Sequence, residues 1–177
     1  MITRLRRLLA CERGYSLIEL LQVTAILGVV LTGLTALFLQ ATKAELDMNR
    51  RFQAQQSARL AVDKMRREIH CATAITPVGA SSAITVTVPA QCPTAGGTLT
   101  NVVYDTQLVA DGRYRLRRAG VTIADYVRVG VVFTYTAPST ASLGKLNLDL
   151  PINIQPPGSG SNWELKADMV LRNTTRS

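Results

Sequence analysis

An uncharged apolar run near the start of the chain constrains the fold more than any other feature. Residues 20–42 contain no Asp, Glu, Lys or Arg. At about 1.5 Å per residue, a helix of this length spans the roughly 30 Å hydrocarbon core of a bilayer. The apolar region of a cleaved secretory signal is only about 7–15 residues long. The run therefore predicts one transmembrane helix.

The charges before the apolar run predict its orientation. Residues 1–14 contain four arginines and one glutamate, in a chain whose formal net charge is +8. By the positive-inside rule this flank stays in the cytoplasm, and everything after Lys43 lies outside. We therefore expect a single-pass protein of the cytoplasmic membrane, with its N-terminus inside and its head outside. The other basic residues are scattered, which disfavours nucleic acid as a partner.

The helix is expected to continue beyond the membrane. No proline occurs before Pro77, so nothing in residues 15–76 enforces a break. A stripe of Ala58, Val62, Met65 and Ile69 recurs at spacings of four, three and four, which is typical of an amphipathic helix. The charged residues among them, Glu68 included, are expected on the other sides. The stripe needs a surface to cover it.

A β-rich region follows the helix and is expected to supply that surface. Short β-branched runs predict strands at residues 83–88, 99–105, 113–118, 122–127, 131–136, 145–150 and 163–172. Asp111-Gly112 reads as a hairpin turn. The fold class is therefore α+β, with a long N-terminal helix, half in the membrane and half amphipathic, packed on an antiparallel sheet. The predicted parts are a leader at 1–14, a transmembrane helix at 15–42, an amphipathic helix at 43–74 and a head at 75–177.

The cysteine and histidine content points to a disulfide and away from a metal centre. The three cysteines, Cys11, Cys71 and Cys92, have no zinc-site spacing, and His70 is the only histidine. Outside the cytoplasm, Cys71 and Cys92 form an even pair in an oxidising space, so a disulfide is expected. Two separate buried thiols are the alternative. We expect neither metal nor cofactor.

The segment that opens the apolar run carries a recognisable motif. Residues 13–21 read RGYSLIELL and lead into AILG at 25–28. This segment resembles the type IV pilin signature, in which prepilin peptidase cuts after the glycine and methylates the new amino terminus. The resemblance implies cleavage after Gly14, methylation of Tyr15 and a pilin-like fold. It departs from the family in having Tyr15 where Phe is usual, Gln22 inside the apolar run and Ala36 where major pilins often carry proline.

A carboxylate at the edge of a transmembrane helix needs an explanation, because an unpaired charge in a bilayer is costly. The resemblance implies that Glu19 acts in assembly by pairing with the Tyr15 ammonium of an adjacent subunit. The alternative is that Glu19 is an interfacial residue beside Arg13. In the same run, Gly28 and Gly33 either let a neighbouring helix approach closely, let the helix stretch locally or are simply tolerated.

Short similarities in residues 57–69, 114–118, 123–127, 133–135 and 170–173 extend the resemblance to large minor subunits. They resemble the J-type minor pseudopilin of type II secretion and the W-type minor pilin of type IV pili. The implied function is a structural subunit that takes part in filament assembly or tip priming. The implied partners are prepilin peptidase, other pilin or minor pilin subunits and the cytoplasmic membrane. The residues do not choose between type II secretion, a retractable pilus and a Gram-positive pilus.

Two other functions compete with this one. Arg113, Arg115 and Arg117 alternate, so they share one face of a strand that could meet phosphates in a tip-located adhesin or DNA-binding pilin. A solvated strand face is the favoured interpretation, since Asp105, Asp111 and Asp125 are nearby in sequence and no aromatic row accompanies the arginines. An anchored enzyme is disfavoured because the sequence shows no Ser/His/Asp set, paired-carboxylate motif or phosphate-binding loop, so we expect no catalytic residues. His70 beside Cys71 lacks an oxyanion motif, and adjacent helical residues point about 100° apart.

Overall fold

The structure is a computed structural model that describes residues 15–93, 97–109, 111–155, 160 and 163–173. The contacts divide the chain into two compact units, Met1–Leu46 and Asp47–Ser177. One α-helix, α1 (Leu17–Cys71), contributes residues to both units. It ends three residues before the predicted boundary at 74, and Thr73 then donates its backbone N–H to the Thr87 carbonyl at 2.9 Å.

Nine strands follow α1 in the described part of the chain. In chain order they are β1 (Ala74–Thr76), β2 (Gly79–Ser81), β3 (Ala83–Val88), β4 (Thr100–Leu108), β5 (Tyr114–Arg118), β6 (Val121–Val127), β7 (Phe133–Thr136), β8 (Lys145–Ile152) and β9 (Trp163–Val170). The seven predicted strands are all present, with ends that differ by up to three residues. The three-residue strands β1 and β2 were not predicted.

All nine strands belong to one antiparallel sheet. Eight of them follow the order β1-β3-β4-β5-β6-β8-β7-β2, and the ninth, β9, pairs with β8 outside this order. Strand β8 joins the part of the sheet that runs from β1 to β6 to the part formed by β7 and β2. Its first half pairs with β7 from Phe133↔Leu148 to Thr136↔Lys145, and its last residue pairs with β6 at Val127↔Ile152. Its other edge pairs along its full length with β9. Together with α1 this sheet confirms the α+β prediction.

One face of the sheet and one side of α1 form a single apolar core. Strand β8 illustrates the alternation, because Leu146, Leu148, Leu150 and Ile152 are buried while Asn147 and Asp149 are exposed. The predicted stripe of α1 is buried as expected, and Ala54 and Ala61 extend it. Glu68 is also buried, so its expected place among the solvated side chains was wrong.

Two turns hold β5 in place. The predicted Asp111-Gly112 turn connects β4 to β5, with Gly112 at a φ of 68° and a backbone hydrogen bond of 2.7 Å from Val109 N–H to Arg113. Ala119 and Gly120 connect β5 to β6 with φ angles of 48° and 79°. Positive φ at both central residues is the type I′ geometry that suits the twist of a hairpin. These turns determine which β5 side chains face the core.

Candidate functional site

The residues around the predicted cleavage site begin α1. Ser16 Oγ accepts a hydrogen bond from Glu19 N–H at 3.4 Å, and Glu19 Oε2 accepts one from Ser16 N–H at 3.0 Å. This reciprocal pair is a capping box, which satisfies two backbone donors at a helix start. The S-x-x-E spacing is visible in the sequence, but the capping box was not predicted; the assembly role of Glu19 was predicted from the pilin resemblance. Glu19 therefore has a local structural role in a single chain.

The structure brings Tyr15 and Glu19 to the same helix end. Tyr15 is 81% exposed, and the apolar side chains that follow it along the first part of α1 are exposed too. Gly14 and the rest of the 1–14 leader, including Cys11, lie outside the described residues. The intermolecular pairing of Glu19 with Tyr15 involves two chains and stays a prediction. Among the described residues, α1 is the one helix long and apolar enough to cross a membrane.

A disulfide joins the end of α1 to the sheet. Cys71, the last residue of α1, is bonded to Cys92, which lies in the turn after β3, 21 residues along the chain. Closing a loop of this length is worth about 3 kcal/mol in the chain-entropy description. The Asn173 side-chain amide also donates a hydrogen bond to the Cys71 carbonyl at 3.2 Å. The last turn of α1 is thus held at two points.

One turn earlier, a buried charged cluster joins α1 to β4 and β5. We call Glu68, Tyr104 and Arg118 the clamp. Arg118 Nε donates to the two oxygens of Glu68 at 3.0 and 3.1 Å, and its Nη2 lies 2.7 Å from Oε1. The Tyr104 hydroxyl donates to Glu68 Oε2 at 2.5 Å. Tyr104 and Arg118 are opposite each other in the β4–β5 register, so the sheet presents both donors to one carboxylate.

The protonation states within the clamp follow from burial and mutual contact. Burial, together with the hydrogen bond to Glu68, raises the pKa of the Tyr104 hydroxyl far above its usual 10.0. The hydrogen bond to Glu68 raises the pKa of the Arg118 guanidinium. At neutral pH the phenol therefore keeps its proton and donates it, while the guanidinium stays charged. Among the described residues, no buried side-chain nitrogen or oxygen lacks a hydrogen-bond partner.

The clamp gives α1 one position on the sheet. The buried stripe consists of Ala, Val, Met and Ile, whose contacts are non-directional, so a helix shifted by one turn would still bury apolar surface. The same shift would separate the Glu68 carboxylate from both donors and leave a charge buried without a partner. We infer that the clamp contributes specificity of packing more than net stability.

Both halves of the clamp had a signal in the sequence. Glu68 follows Met65 by three positions and Ala61 by seven, so helical periodicity puts it on the buried side. Arg118 alternates with Leu116, so strand periodicity puts it on the core face. An acidic and a basic residue at two core-facing positions predict a pair.

The two outward arginines of β5, Arg115 and Arg117, and Arg113 immediately before the strand are each paired with an aspartate. Arg113 contacts Asp111, Arg115 Nε donates to Asp125 at 3.3 Å, and Arg117 contacts Asp105. Arg117 also donates to Gln107 at 2.9 Å. These are the three aspartates named as sequence neighbours, so the face carries three charge pairs. Its charge is largely neutralised before any phosphate arrives.

The remaining candidates contribute little chemistry. The Cys71 sulfur is bonded to Cys92, so His70 has no thiolate beside it to activate.

A cavity of about 200 Å³ between α1, β8 and β9 is lined by Arg51, Gln55 and Trp163 among others. It is smaller than the roughly 300–1,000 Å³ of usual ligand sites. Within the described residues, no group of three or more His, Cys, Asp or Glu side chains is arranged to hold a metal ion.

No protein-family model, curated protein or solved structure matches this chain. The pilin-like resemblance therefore depends on the motif at residues 13–28 and on the shorter similarities later in the sequence. A long helix that is apolar at its start, is packed on an antiparallel sheet at its end and is joined to the sheet by a disulfide is compatible with a pilin-like fold.

Proposed function

We propose that this chain is a structural subunit of a pilin-like filament, anchored in the cytoplasmic membrane by the first part of α1. Prepilin peptidase removes residues 1–14 and methylates Tyr15. The observation that carries the proposal is the RGYSLIELL segment, which leads without interruption into a single helix of 55 residues. The first part of that helix exposes apolar side chains, as a membrane anchor requires, and its last part buries a stripe against a sheet.

Two features of the helix start support processing and assembly at this place. The capping box begins α1 right after Ser16, so the helix does not need residues 1–14 to start. Cleavage after Gly14 would leave the new Tyr15 ammonium four positions before Glu19. In a bundle of parallel helices offset along their axes, that ammonium pairs with Glu19 of the adjacent subunit.

The finer assignment is a low-copy minor subunit of the J or W type, at or near a filament tip. The attachments at the end of α1 support a load-bearing role, because a filament subunit must transmit force between its helix and its head. These attachments are the clamp, the Cys71–Cys92 disulfide and the Asn173 hydrogen bond. The proposed partners are other pilin or minor pilin subunits, with the head outside the cytoplasm.

A DNA-binding or adhesive tip pilin is the second candidate. The charge pairs at Arg113 and along β5 argue against the binding of DNA. The three arginines already contact three aspartates, so a phosphate would have to displace a carboxylate at each position. Salt-dependent binding of DNA would still favour it, since phosphate contacts release counterions.

The intact mass of the chain tests the proposal. In cells with active prepilin peptidase we expect the mass of residues 15–177 plus one methyl group, and in matched cells without the peptidase the mass of the whole chain. Gly14→Ala then measures how strictly the cut requires glycine. A chain that keeps residues 1–14 in the presence of active peptidase would exclude the proposed processing.

A further inference from the structure

The polar side chains of the apolar run divide into two kinds. Four are threonines, and each hydroxyl donates to a backbone carbonyl three or four positions earlier: Thr24 to Leu21 at 3.0 Å, Thr32 to Gly28 at 2.8 Å, Thr35 to Leu31 at 2.7 Å and Thr42 to Phe38 at 2.9 Å. The other two are Gln22 and Gln40. Neither side-chain amide has a hydrogen-bond partner among the residues that the structure describes.

The two glutamines lie on the same side of α1. They are 18 positions apart, which is about five turns, so they point in the same direction with about 27 Å between them along the axis. Each is two positions inside an end of the uncharged run at 20–42. Between them, Ile26, Val29, Gly33 and Ala36 follow the same side at spacings of four and three. We call these six residues the seam.

The seam has the pattern of a surface that packs on a parallel helix. Alternating spacings of four and three are the heptad pattern, which gives a left-handed crossing near 20°. Gly33 and Ala36 are small and central, and apart from the helix's own adjacent backbone no atom lies within 4 Å of where a Gly33 Cβ would be, so another backbone can approach. An amide is both donor and acceptor, so Gln22 can bond Gln22 of a second copy and Gln40 can bond Gln40.

We propose that the seam docks a second copy of this chain, parallel and in register, in the membrane. The proposal rests on the membrane anchoring in the proposed function. The basic flank orients every copy alike, which makes the pair parallel. In register, Gln22 lies opposite Gln22 of the second copy and Gln40 lies opposite Gln40, each pair at one depth in the membrane. The Tyr15–Glu19 pairing needs an axial offset instead, so the in-register dimer belongs to the stage before filament incorporation.

Cysteine crosslinking of the full chain tests the seam. The background variant is Cys11→Ser, which leaves Cys71 and Cys92 in their disulfide, and the host membrane contains no other pilin-like subunit. Ile26→Cys is on the seam, and Leu27→Cys, one position along, is about 100° away at nearly the same depth. With a membrane-permeant oxidant, Ile26→Cys should form at least about fivefold more covalent dimer. In an antiparallel pair, the two sulfurs introduced by Ile26→Cys would be too far apart to bond.

The glutamines are then removed in the Ile26→Cys chain. Gln22→Leu with Gln40→Leu should lower the dimer association constant about tenfold, the loss of two interhelical hydrogen bonds in a membrane. The control is Thr24→Val with Thr35→Val, which removes two hydroxyls on the far side of α1 and should leave the dimer unchanged. Equal crosslinking at both cysteine positions would overturn the proposal. An unchanged association constant after removal of both glutamines would also overturn it, because the amides would then be hydrogen-bonded by lipid headgroups and not by a second copy.

Expressing the same variants in that host with prepilin peptidase added separates this inference from the proposed function. The intact mass in cells with prepilin peptidase reports cleavage after Gly14 regardless of dimerisation. Cleavage without a seam dimer would refute only the seam. A seam dimer in a chain that is never cleaved would refute only the pilin-like processing.

Discussion

The clamp makes the packing of α1 depend on one guanidinium, and Arg118→Met tests that dependence. The Glu68 side chain is 1% exposed, so water cannot replace the guanidinium once it is removed. Breaking a buried ion pair by deleting one partner costs about 3–5 kcal/mol. A typical domain has only about 5–15 kcal/mol of stability, so this loss approaches the stability of the whole head. We expect the free energy of unfolding to fall by about 3–5 kcal/mol.

Removing the carboxylate of the clamp instead of the guanidinium should lower the free energy of unfolding by a smaller amount. In Glu68→Met the buried charge is gone, and Arg118, whose side chain is 22% exposed at a hairpin turn, can reach water. We expect the free energy of unfolding to fall by about 1–2 kcal/mol, mainly because hydrogen bonds to Glu68 are lost. The double variant should lose less than the sum of the two, with a coupling of about 2 kcal/mol or more. The matched control is Arg115→Met on the same strand, whose partner Asp125 is 39% exposed, with an expected cost of at most about 1 kcal/mol.

Urea unfolding of the full chain in mild detergent measures these differences. Trp163 is the only tryptophan and packs against the core, so its fluorescence reports on the head. The slope of the transition should stay unchanged among the variants, since each exposes a similar surface on unfolding. If Arg118→Met cost no more than Arg115→Met, or no more than Glu68→Met, the argument from the buried carboxylate would be refuted.

Three further predictions follow from other parts of the chain. Val62→Asp buries an unpaired carboxylate and should unfold the head, whereas Leu60→Asp, at a position 63% exposed on the same helix, should leave the melting temperature nearly unchanged. Burial and two nearby arginines lower the pKa of His70 below 6.5, so the unfolded chain binds that proton first and stability should fall below about pH 6.5. His70→Gln should reduce this fall, and an identical pH profile would contradict the assignment. Glu19→Gln keeps a capping side chain but loses the charge, so membrane insertion and head stability should persist while filament incorporation drops. Wild-type incorporation of that variant would refute the assembly role.

Much of the fold was predictable because its signals are local. The stripe of α1 and the alternation of β8 are periodic patterns, and they led to the correct helix and strand assignments. Strands β1 and β2 were not predicted, because three residues are too few to show an alternation of apolar and polar side chains. Their backbones are held by partners distant in sequence, as in the pairing of Ala74 with Thr87 and of Gly79 with Tyr135.

The candidate site divides in the same way. The capping box at Ser16 and Glu19 is a local pattern, and each Asp–Arg pair on β5 joins residues no more than 12 apart in sequence. The clamp joins positions up to 50 apart. Periodicity places Glu68 and Arg118 on the core-facing sides of their own elements, but neither pattern shows that the other residue lies beside it. This is why Glu68 was expected in solvent.

The sequence by itself determined the apolar run, the helix that contains it, the motif at its start and the alternation of the strands, because each depends on neighbours within a few turns or on one strand. Only the tertiary structure decided which way the sheet branches at β8, which carboxylate enters the core and which arginine meets it. Those outcomes depend on contacts between distant segments. A buried charge is tolerated only where the folded chain brings its partner to it.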